Sequence, residues 1–303
     1  MKGKKVTLQD IAREARVSSA TVSYVLNYSE KEKISHKTRL KVFEAARKLN
    51  YVPDMTAKAL ANKKSYLIGV IVNLGEFNLR SKLYQYYEQI DALQSRLHQL
   101  GYDVVLLSTQ NLTEDIQISQ RRSLDAAFII DMDTVTLAGM VNRFYIPLIF
   151  IDGYLGDPLF HEVLVDYESV FAAEVVPGNT YVAIEEYSSD YVYKCASKYC
   201  PEEWIFVNRK GASLRDFLAS KHGMKGVVVG EVLGLQTESL TGGPLAVVVG
   251  DGECTLLRPE TRKIVVDQAQ KADIAIHVLR SLLSLDNSGD PPKSVYVTPQ
   301  ALG

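Results

Sequence analysis

The sequence is poor in the residues that build covalent or metal-bound frameworks. It has three cysteines, Cys195, Cys200 and Cys254, and five histidines in 303 residues. The cysteines are too few and too widely spaced for a zinc site or a disulfide framework, so we expect free thiols and no metal. The histidines have neither metal-ligand spacing nor an evident nucleophile partner. We therefore predict that the chain is not an enzyme and has no cofactor.

Long apolar runs are also missing. No secretory apolar region follows Met1, and no apolar stretch is long enough to span a bilayer. We therefore expect a soluble, cytoplasmic protein without a membrane partner. The chain has no internal repeat or low-complexity tract, and its length leaves room for two or three domains.

The charge is unevenly divided along the chain, although the net charge is only −2. Residues 1–66 hold 15 Lys and Arg against 6 Asp and Glu, whereas the remainder holds 19 against 30. A basic head on an acidic body is typical of a nucleic-acid-binding module joined to a domain that does not bind nucleic acid.

The stretch Val6–Asn27 predicts two short helices joined by a tight turn. Thr7 can cap the first helix, and Asp10 completes a capping-box pair with it. The turn is placed at residues 15–17, and Ser18 caps the second helix. Val22 and Val25 of that helix point to the core. Its small and hydrogen-bonding residues face outward, which suits a DNA major groove, although an ordinary helical hairpin with a solvated face has the same pattern.

The following residues predict a third helix and a short fourth one. Ser35 caps the third helix, which carries Leu40, Phe43, Ala45, Ala46 and Leu49 among many basic residues. Residues 51–53 lead out extended, because the residue before a proline avoids the helical region. The basic segment 55–62 is only about two turns long, so we expect it to order only when docked.

The first 75 residues resemble, in order, the head of a LacI-family transcription regulator. The matching segments are VTLQDIAREARVSSATVSYVLN, ISHKTRLKVFEAARKLNYVPD and MTAKALANKKSYLIGVIV. They correspond to the helix-turn-helix, the third helix, and the hinge helix with the first body strand. Two departures are a longer loop at 28–34 and Asp54 at a position that is commonly Asn.

The resemblance implies a set of DNA contacts. The residues that would read bases are Ser19, Ala20 and Tyr24. Those that would bind the backbone and fix the register are Thr7, Ser18, Thr21, Ser23, Asn27 and Tyr51. In the hinge, Leu60 would enter the minor groove as a wedge, with Ala57 allowing close approach and Lys58 meeting a phosphate. A linker leucine packing on its own domain is the alternative for Leu60.

From Tyr66 onward the pattern alternates between strands and helices, which predicts a parallel sheet covered on both faces. The first half resembles the family's periplasmic-binding-protein-like (type I) body. We therefore predict an all-α helix-turn-helix head and an α/β body of two subdomains. The predicted bounds are 1–53 for the DNA-binding domain, 54–65 for the hinge, and 66–303 for the body, with subdomains at about 66–165 and 166–303.

The predicted elements of the body are as follows. Strands are expected at 66–72, 103–108, 126–131, 147–152, 180–185, 204–207, 226–230, 246–250 and 294–298. Helices are expected at 80–100, 114–122, 135–143, 187–199, 213–222 and 264–285, so that Tyr187, Tyr191, Tyr193 and Tyr199 would share one helix. The chain is expected to cross between subdomains at 162–166.

Effector-binding residues are harder to place. Asp152, in LIFIDGY, matches an acidic position that lines the family's effector cleft, where a carboxylate can bind the hydroxyls of a sugar or nucleoside. The alternative is an aspartate that caps a turn at the end of a strand, which would give the same sequence pattern. Leu79 and Arg80 fall near two further pocket positions. In the second subdomain Ser213 and Asp216 stand where Arg and Gly are usual. Gly230-Glu231 replaces an Asn-Asp pair, and Gly250-Asp251-Gly252 is out of step with Gly-Phe-Asp.

The resulting hypothesis is a homodimeric repressor that binds a palindromic double-stranded DNA operator. A sugar, sugar phosphate or nucleoside would act as its effector. The first alternative keeps the DNA-binding role but has a body that is regulated by a protein partner or does not respond to a sugar. The second is a sugar-binding protein or enzyme with the same body fold, which the intact head argues against.

Overall fold

A computed structural model of the chain describes residues 6–26, 34–49, 51, 64–74, 80–109, 124–132, 146–157, 160–283 and 291–302. It divides into two compact units, residues 1–64 and 65–303. We call these the head and the body. None of the described helices is long and apolar enough to cross a membrane.

The described head consists of three helices, α1 (Leu8–Ala15), α2 (Ser19–Leu26) and α3 (His36–Lys48). Their shared core includes Ile11, Val22, Val25 and Val42, which are fully buried. The caps predicted for α1 and α3 at Thr7 and Ser35 are confirmed. The inward face of the third helix differs from the predicted set of apolar residues. It buries Val42 and Ala45, whereas Leu40 and Phe43 are exposed.

The body has two lobes, each built on a sheet. The first sheet has the strand order β11-β5-β4-β3-β1-β2, and every pair in it is parallel. The second has the order β12-β10-β9-β8-β6-β7, in which only β10 and β12 are antiparallel. We call the units around these sheets the first and second lobes.

The strand bounds are β1 Leu67–Asn73, β2 Asp103–Thr109, β3 Ala126–Ile130, β4 Leu148–Ile151, β5 His161–Val165, β6 Thr180–Glu185, β7 Ile205–Asn208, β8 Lys225–Val229, β9 Leu245–Val249, β10 Arg262–Val265, β11 Ser294–Val297 and β12 Gln300–Leu302. The described helices of the body are α4 Arg80–Gln99, α5 Tyr167–Glu174, α6 Tyr191–Ser197, α7 Leu214–Leu218, α8 Glu231–Leu240 and α9 Gln268–Leu282, with a 3₁₀ turn at Glu202–Trp204. The predicted helices at 114–122 and 135–143 lie outside the described residues.

The central strands are continuous apolar runs, as expected of parallel strands that are covered on both faces. Every residue of β3, β6 and β9 is buried. In the first lobe, α4 and α9 pack over one face of the sheet. The helix α9 thus returns to the first lobe after β10 of the second, and β12 returns to the second lobe after β11 of the first.

Three predicted elements are wrong in detail. Residues 162–165 belong to β5, so the chain leaves the first lobe only after Val165. The predicted helix 264–285 is a strand at its start, because Ile264 and Val265 pair in the second sheet and Asp267 caps the helix. The helix predicted at 187–199 begins at Tyr191, which leaves Tyr187 on the preceding loop.

Candidate nucleic-acid interface and interlobe cleft

The hydroxyls of the helix-turn-helix are fixed by local capping. Thr7 and Asp10 form a reciprocal capping box, in which Asp10 Oδ2 accepts from the Thr7 amide at 2.9 Å. Arg16 makes the turn with a φ of 54°. Ser18 Oγ accepts from the Thr21 amide at 3.0 Å and shares a hydrogen bond of 2.9 Å with the Thr21 hydroxyl. These contacts hold both helix N-termini, where anions bind favourably.

One face of α2 is open. Val22 and Val25 are buried, whereas Ser19, Ala20 and Tyr24 are exposed and Ser23 is half-buried. The exposed residues lie on the side opposite to the two valines at helical spacing. This side combines small side chains with one aromatic side chain that can hydrogen-bond, Tyr24, which is 36% exposed. A helix with such a face can enter a major groove.

Other predicted contact residues are described only in part. Tyr51 is half-buried against the head core, and its amide donates to Ala46 O at 2.9 Å. The predicted contact residues that lie outside the described part of the chain are Asn27, Ala57, Lys58, Leu60 and Leu79. Arg80 is the first residue of α4, and the placement of its side chain also lies outside the description.

In the body, Lys82 and Asp131 form a buried ion pair in the cleft between the lobes. Asp131 follows β3 with a φ of 59°, and its Oδ2 accepts from Lys82 Nζ and from the Tyr86 hydroxyl. The side chains are 1% and 0% exposed for Lys82 and Asp131. Burial lowers the pKa of Lys82 below its ordinary value, and the charge of Asp131 opposes that shift.

This pair also connects the two lobes. Lys82 Nζ donates to the Glu186 carbonyl at 2.6 Å and lies 4.3 Å from the centre of the Tyr187 ring. Asp131 Oδ1 accepts from the Ser188 amide at 2.9 Å. Lys82 and Asp131 belong to the first lobe, whereas residues 186–188 follow β6 of the second. The chain's own side chains therefore bridge the cleft.

A second ion pair involves the predicted effector residue Asp152. Its Oδ2 accepts from Lys271 Nζ on α9, and Lys271 is almost fully buried. Asp152 Oδ1 is buried without a hydrogen-bond partner in the described part of the protein. The carboxylate is thus already neutralised by an ammonium group from a helix that lies 119 residues further along the chain.

Among the described residues, the part of the cleft beside Asp152 and Lys271 has little room. The cavity beside Asp152 and Lys271 has a volume of about 30 Å³. That is enough for one or two water molecules and too small for a sugar. Its lining residues with a carboxylate or amide side chain, outside the ion pair, are Gln85, Glu88, Gln89, Glu231 and Gln268.

Two of the positions that depart from the family pattern, Gly230 and Gly250, lie on the second lobe's side of this contact. Gly230 has a φ of 106°, and a β-carbon there would collide with the Gln85 amide of α4. A β-carbon on Gly250 would likewise collide with the Glu88 carboxylate. Ser213 instead caps α7, with its Oγ accepting from the Asp216 amide at 3.2 Å. The glycines therefore allow α4 to approach the second lobe closely.

Sequence reasoning missed Lys82, Asp131 and Lys271. One signal was available, because Lys82 falls in step with Tyr86, Leu93 and Leu97, which form the buried stripe of α4. A buried lysine at such a position must have an acidic partner, because an unpaired buried charge destabilises the fold. The partner of Lys82 lies 49 residues away, and no local pattern identifies it.

Comparison with known proteins agrees with the two-part architecture. Residues 7–54 match the family of bacterial regulatory proteins, lacI family. The lactose operon repressor of Escherichia coli K12 is 42% identical over 103 residues, which are 34% of this chain and 26% of the repressor. Catabolite control protein A of Staphylococcus xylosus is 51% identical over 67 residues, 22% of this chain and 20% of that protein. These sequence matches span about a quarter of the relatives' length or less.

The fold likeness extends further than the sequence likeness. A crystal structure of the lac repressor dimer bound to operator and the anti-inducer ONPF matches with a TM-score of 0.73 and 19% identity. The match covers 99% of this chain and 98% of that one. The two mostly parallel sheets thus have the periplasmic-binding-protein-like fold of the LacI-family neighbours, and a short helical head precedes them in the chain.

Proposed function

Since residues 7–54 carry a helix-turn-helix domain of the lacI family, we propose that this protein is a sequence-specific, DNA-binding transcription repressor. The observation that carries the proposal is the exposed face of α2, backed by capped helix N-termini. Ser19, Ala20 and Tyr24 would read base edges, while Thr7, Ser18, Thr21 and Ser23 would meet phosphates.

The basic surface of the head supports the same role. Lys37, Lys41, Arg47 and Lys48 on α3 are all exposed. Lys48 contacts Glu14 at 2.6 Å, but both side chains remain accessible to solvent. Cationic side chains at the surface supply the salt-dependent, sequence-independent part of DNA affinity.

The proposal includes a homodimer on a palindromic operator, since a two-fold protein matches a two-fold site. It is supported by exposed apolar side chains in both lobes. In the first lobe, Leu83 and Tyr87 lie one turn apart on α4, and Leu106 lies on the edge strand β2. In the second, Leu235 on α8 and Leu256 are exposed. Pairing of two bodies would bury them.

Regulation is proposed to act through the interlobe cleft, with Asp152 and the region of Leu79 and Arg80 on its first-lobe side. A small-molecule effector would alter lobe closure. The alternative is a body that does not respond to a sugar or that answers to a protein partner. The Lys82 bridge and the 30 Å³ cavity favour this alternative, because among the described residues groups of the chain already occupy the cleft at Lys82 and beside Asp152.

Selection of bound sequences from random DNA by the full-length protein tests the DNA-binding proposal. We expect a palindromic consensus that is enriched over non-specific DNA at fixed salt. A pool without a consensus would contradict it. Thermal shifts against sugars, sugar phosphates and nucleosides then separate the two modes of regulation, since only a cleft that opens for a ligand should be stabilised.

A further inference from the structure

Two carboxylates from opposite lobes meet at Gly250. Glu88 comes from α4 of the first lobe, and Glu231 is the first residue of α8 in the second. The Gly250 amide donates to Glu231 Oε1, while Glu88 Oε2 lies so close that a β-carbon on Gly250 would collide with it. Both carboxylates therefore lie next to the same glycine at the contact between the lobes.

The surroundings compensate these carboxylates only in part, because Tyr84 hydrogen-bonds to Glu88 and the Gly250 amide to Glu231. Glu231 is 2% exposed, and Glu88 Oε2 is buried without a hydrogen-bond partner in the described part of the protein. The groups that face Glu88 are Tyr84 on its own helix, Glu231 on α8, Asp251 after β9 and Gln268 on α9. Across the cavity lies Lys271, whose ammonium is paired with Asp152.

We propose that closure of the two lobes is coupled to uptake of a proton by the Glu88–Glu231 pair, so that this body responds to pH. Two ionised carboxylates in a contact with room for only one or two water molecules repel each other and lose part of their hydration. A proton removes the repulsion and one of the two buried charges. When the lobes separate, water solvates both groups and the proton is released.

The size of the effect follows from linkage. Burial, and next the charge of Glu231, raises the pKa of Glu88 to about 7 in the closed arrangement, against an ordinary value of 4.5. The closed form therefore binds the proton more tightly, so the added stability of closure is complete below about pH 4.5 and is lost as the pH rises through about 7. If the open form has the ordinary value, the ratio of closed to open molecules falls about tenfold from pH 6 to pH 8.

Distances between spin labels in the full-length protein test this without DNA. Ser95→Cys on the first lobe and Ser220→Cys on the second provide exposed labelling positions, and unsubstituted protein corrects for labelling of the three buried cysteines. We expect the closed-to-open ratio to fall about tenfold from pH 6 to pH 8. Glu88→Gln should abolish the dependence, whereas Asp91→Asn, exposed on the same helix, should keep it.

The proposal would be overturned if the closed-to-open ratio of the labelled protein did not change with pH. It would also be overturned if the ratio fell equally in the labelled protein that carries Glu88→Gln. If Glu88→Gln does not fold, Glu231→Gln replaces it, because its amide oxygen can still accept from Gly250, and a flatter pH dependence is again expected. The consequence for gene regulation rests on the proposed function, whereas closure does not. Failure of DNA binding at every pH would therefore refute that function and leave the closure result standing.

Discussion

Replacement of Lys82 by methionine removes one of the two buried ammonium groups described in the cleft and keeps most of the side-chain length. Asp131, 0% exposed, would retain hydrogen bonds from the Tyr86 hydroxyl and the Ser188 amide but lose its counter-charge. Removing one partner of a buried ion pair costs about 3–5 kcal/mol, because the other charge stays buried. We expect the free energy of unfolding of the body to fall by that amount.

Urea unfolding of the full-length protein can be followed through Trp204, the only tryptophan in the sequence, which lies in the second lobe. The double variant Lys82→Met/Asp131→Asn should recover part of the loss, since neither charge then remains unpaired. Lys194→Met is the matched control. Its ion pair with Asp190 is exposed, so its loss should cost less than about 1 kcal/mol.

If Lys82→Met lowered the free energy of unfolding no more than Lys194→Met, the buried ion pair would not have the predicted effect. Such a result would mean that water reaches Asp131, and therefore that the lobes do not close around Lys82 as described. A double variant less stable than Lys82→Met would also contradict it, because the cost would then lie in lost hydrogen bonds and not in the unpaired charge.

Four further tests address the head and the cleft. Tyr24→Ala should lose discrimination between operator and random DNA while keeping salt-sensitive binding, in competition assays at fixed salt; equal loss on both DNAs would make Tyr24 structural. Ser18→Ala should destabilise the head by about 1 kcal/mol through loss of the cap, measured by amide exchange in α2, and unchanged exchange would argue against it. Leu60→Ala should reduce DNA bending in circular-permutation gel shifts, and an unchanged bend would exclude the wedge. Neutral sugars should change DNA affinity by less than tenfold, which is about 1.4 kcal/mol, since Lys271 already holds Asp152; a larger change that survives in Asp152→Ala would contradict this.

The head could be predicted closely because its signals are local. Thr7 and Asp10 form a capping box within one turn, and Ser18 and Ser35 cap the helices that follow them. Such bonds join residues three positions apart, so spacing in the sequence determines them. The inward face of α3 was less predictable, since Leu40 and Phe43 are apolar and yet exposed.

The body's strands were also predictable, but its chain crossings were not. Apolar runs such as those of β3 and β9 predict buried parallel strands wherever they lie. Apolar residues continue from the strand at Ile264 into the helix, so a single helix was predicted across the break at Asp267. Which lobe a segment joins depends on pairing with distant strands, as for β11 beside β5.

The cleft was the least predictable part, because its contacts join residues far apart in sequence. Asp152 was predicted to line an effector cleft, and no local sequence pattern indicated that Lys271 reaches it from α9. A ligand shifts lobe closure only if it binds one state better than the other. A neutral hydroxyl that displaces Lys271 exchanges a charge-assisted hydrogen bond for a weaker one and leaves an ammonium group buried. In such a cleft, lobe closure depends on the chain's own buried charges. A change in their ionisation should therefore shift closure more than a neutral ligand does.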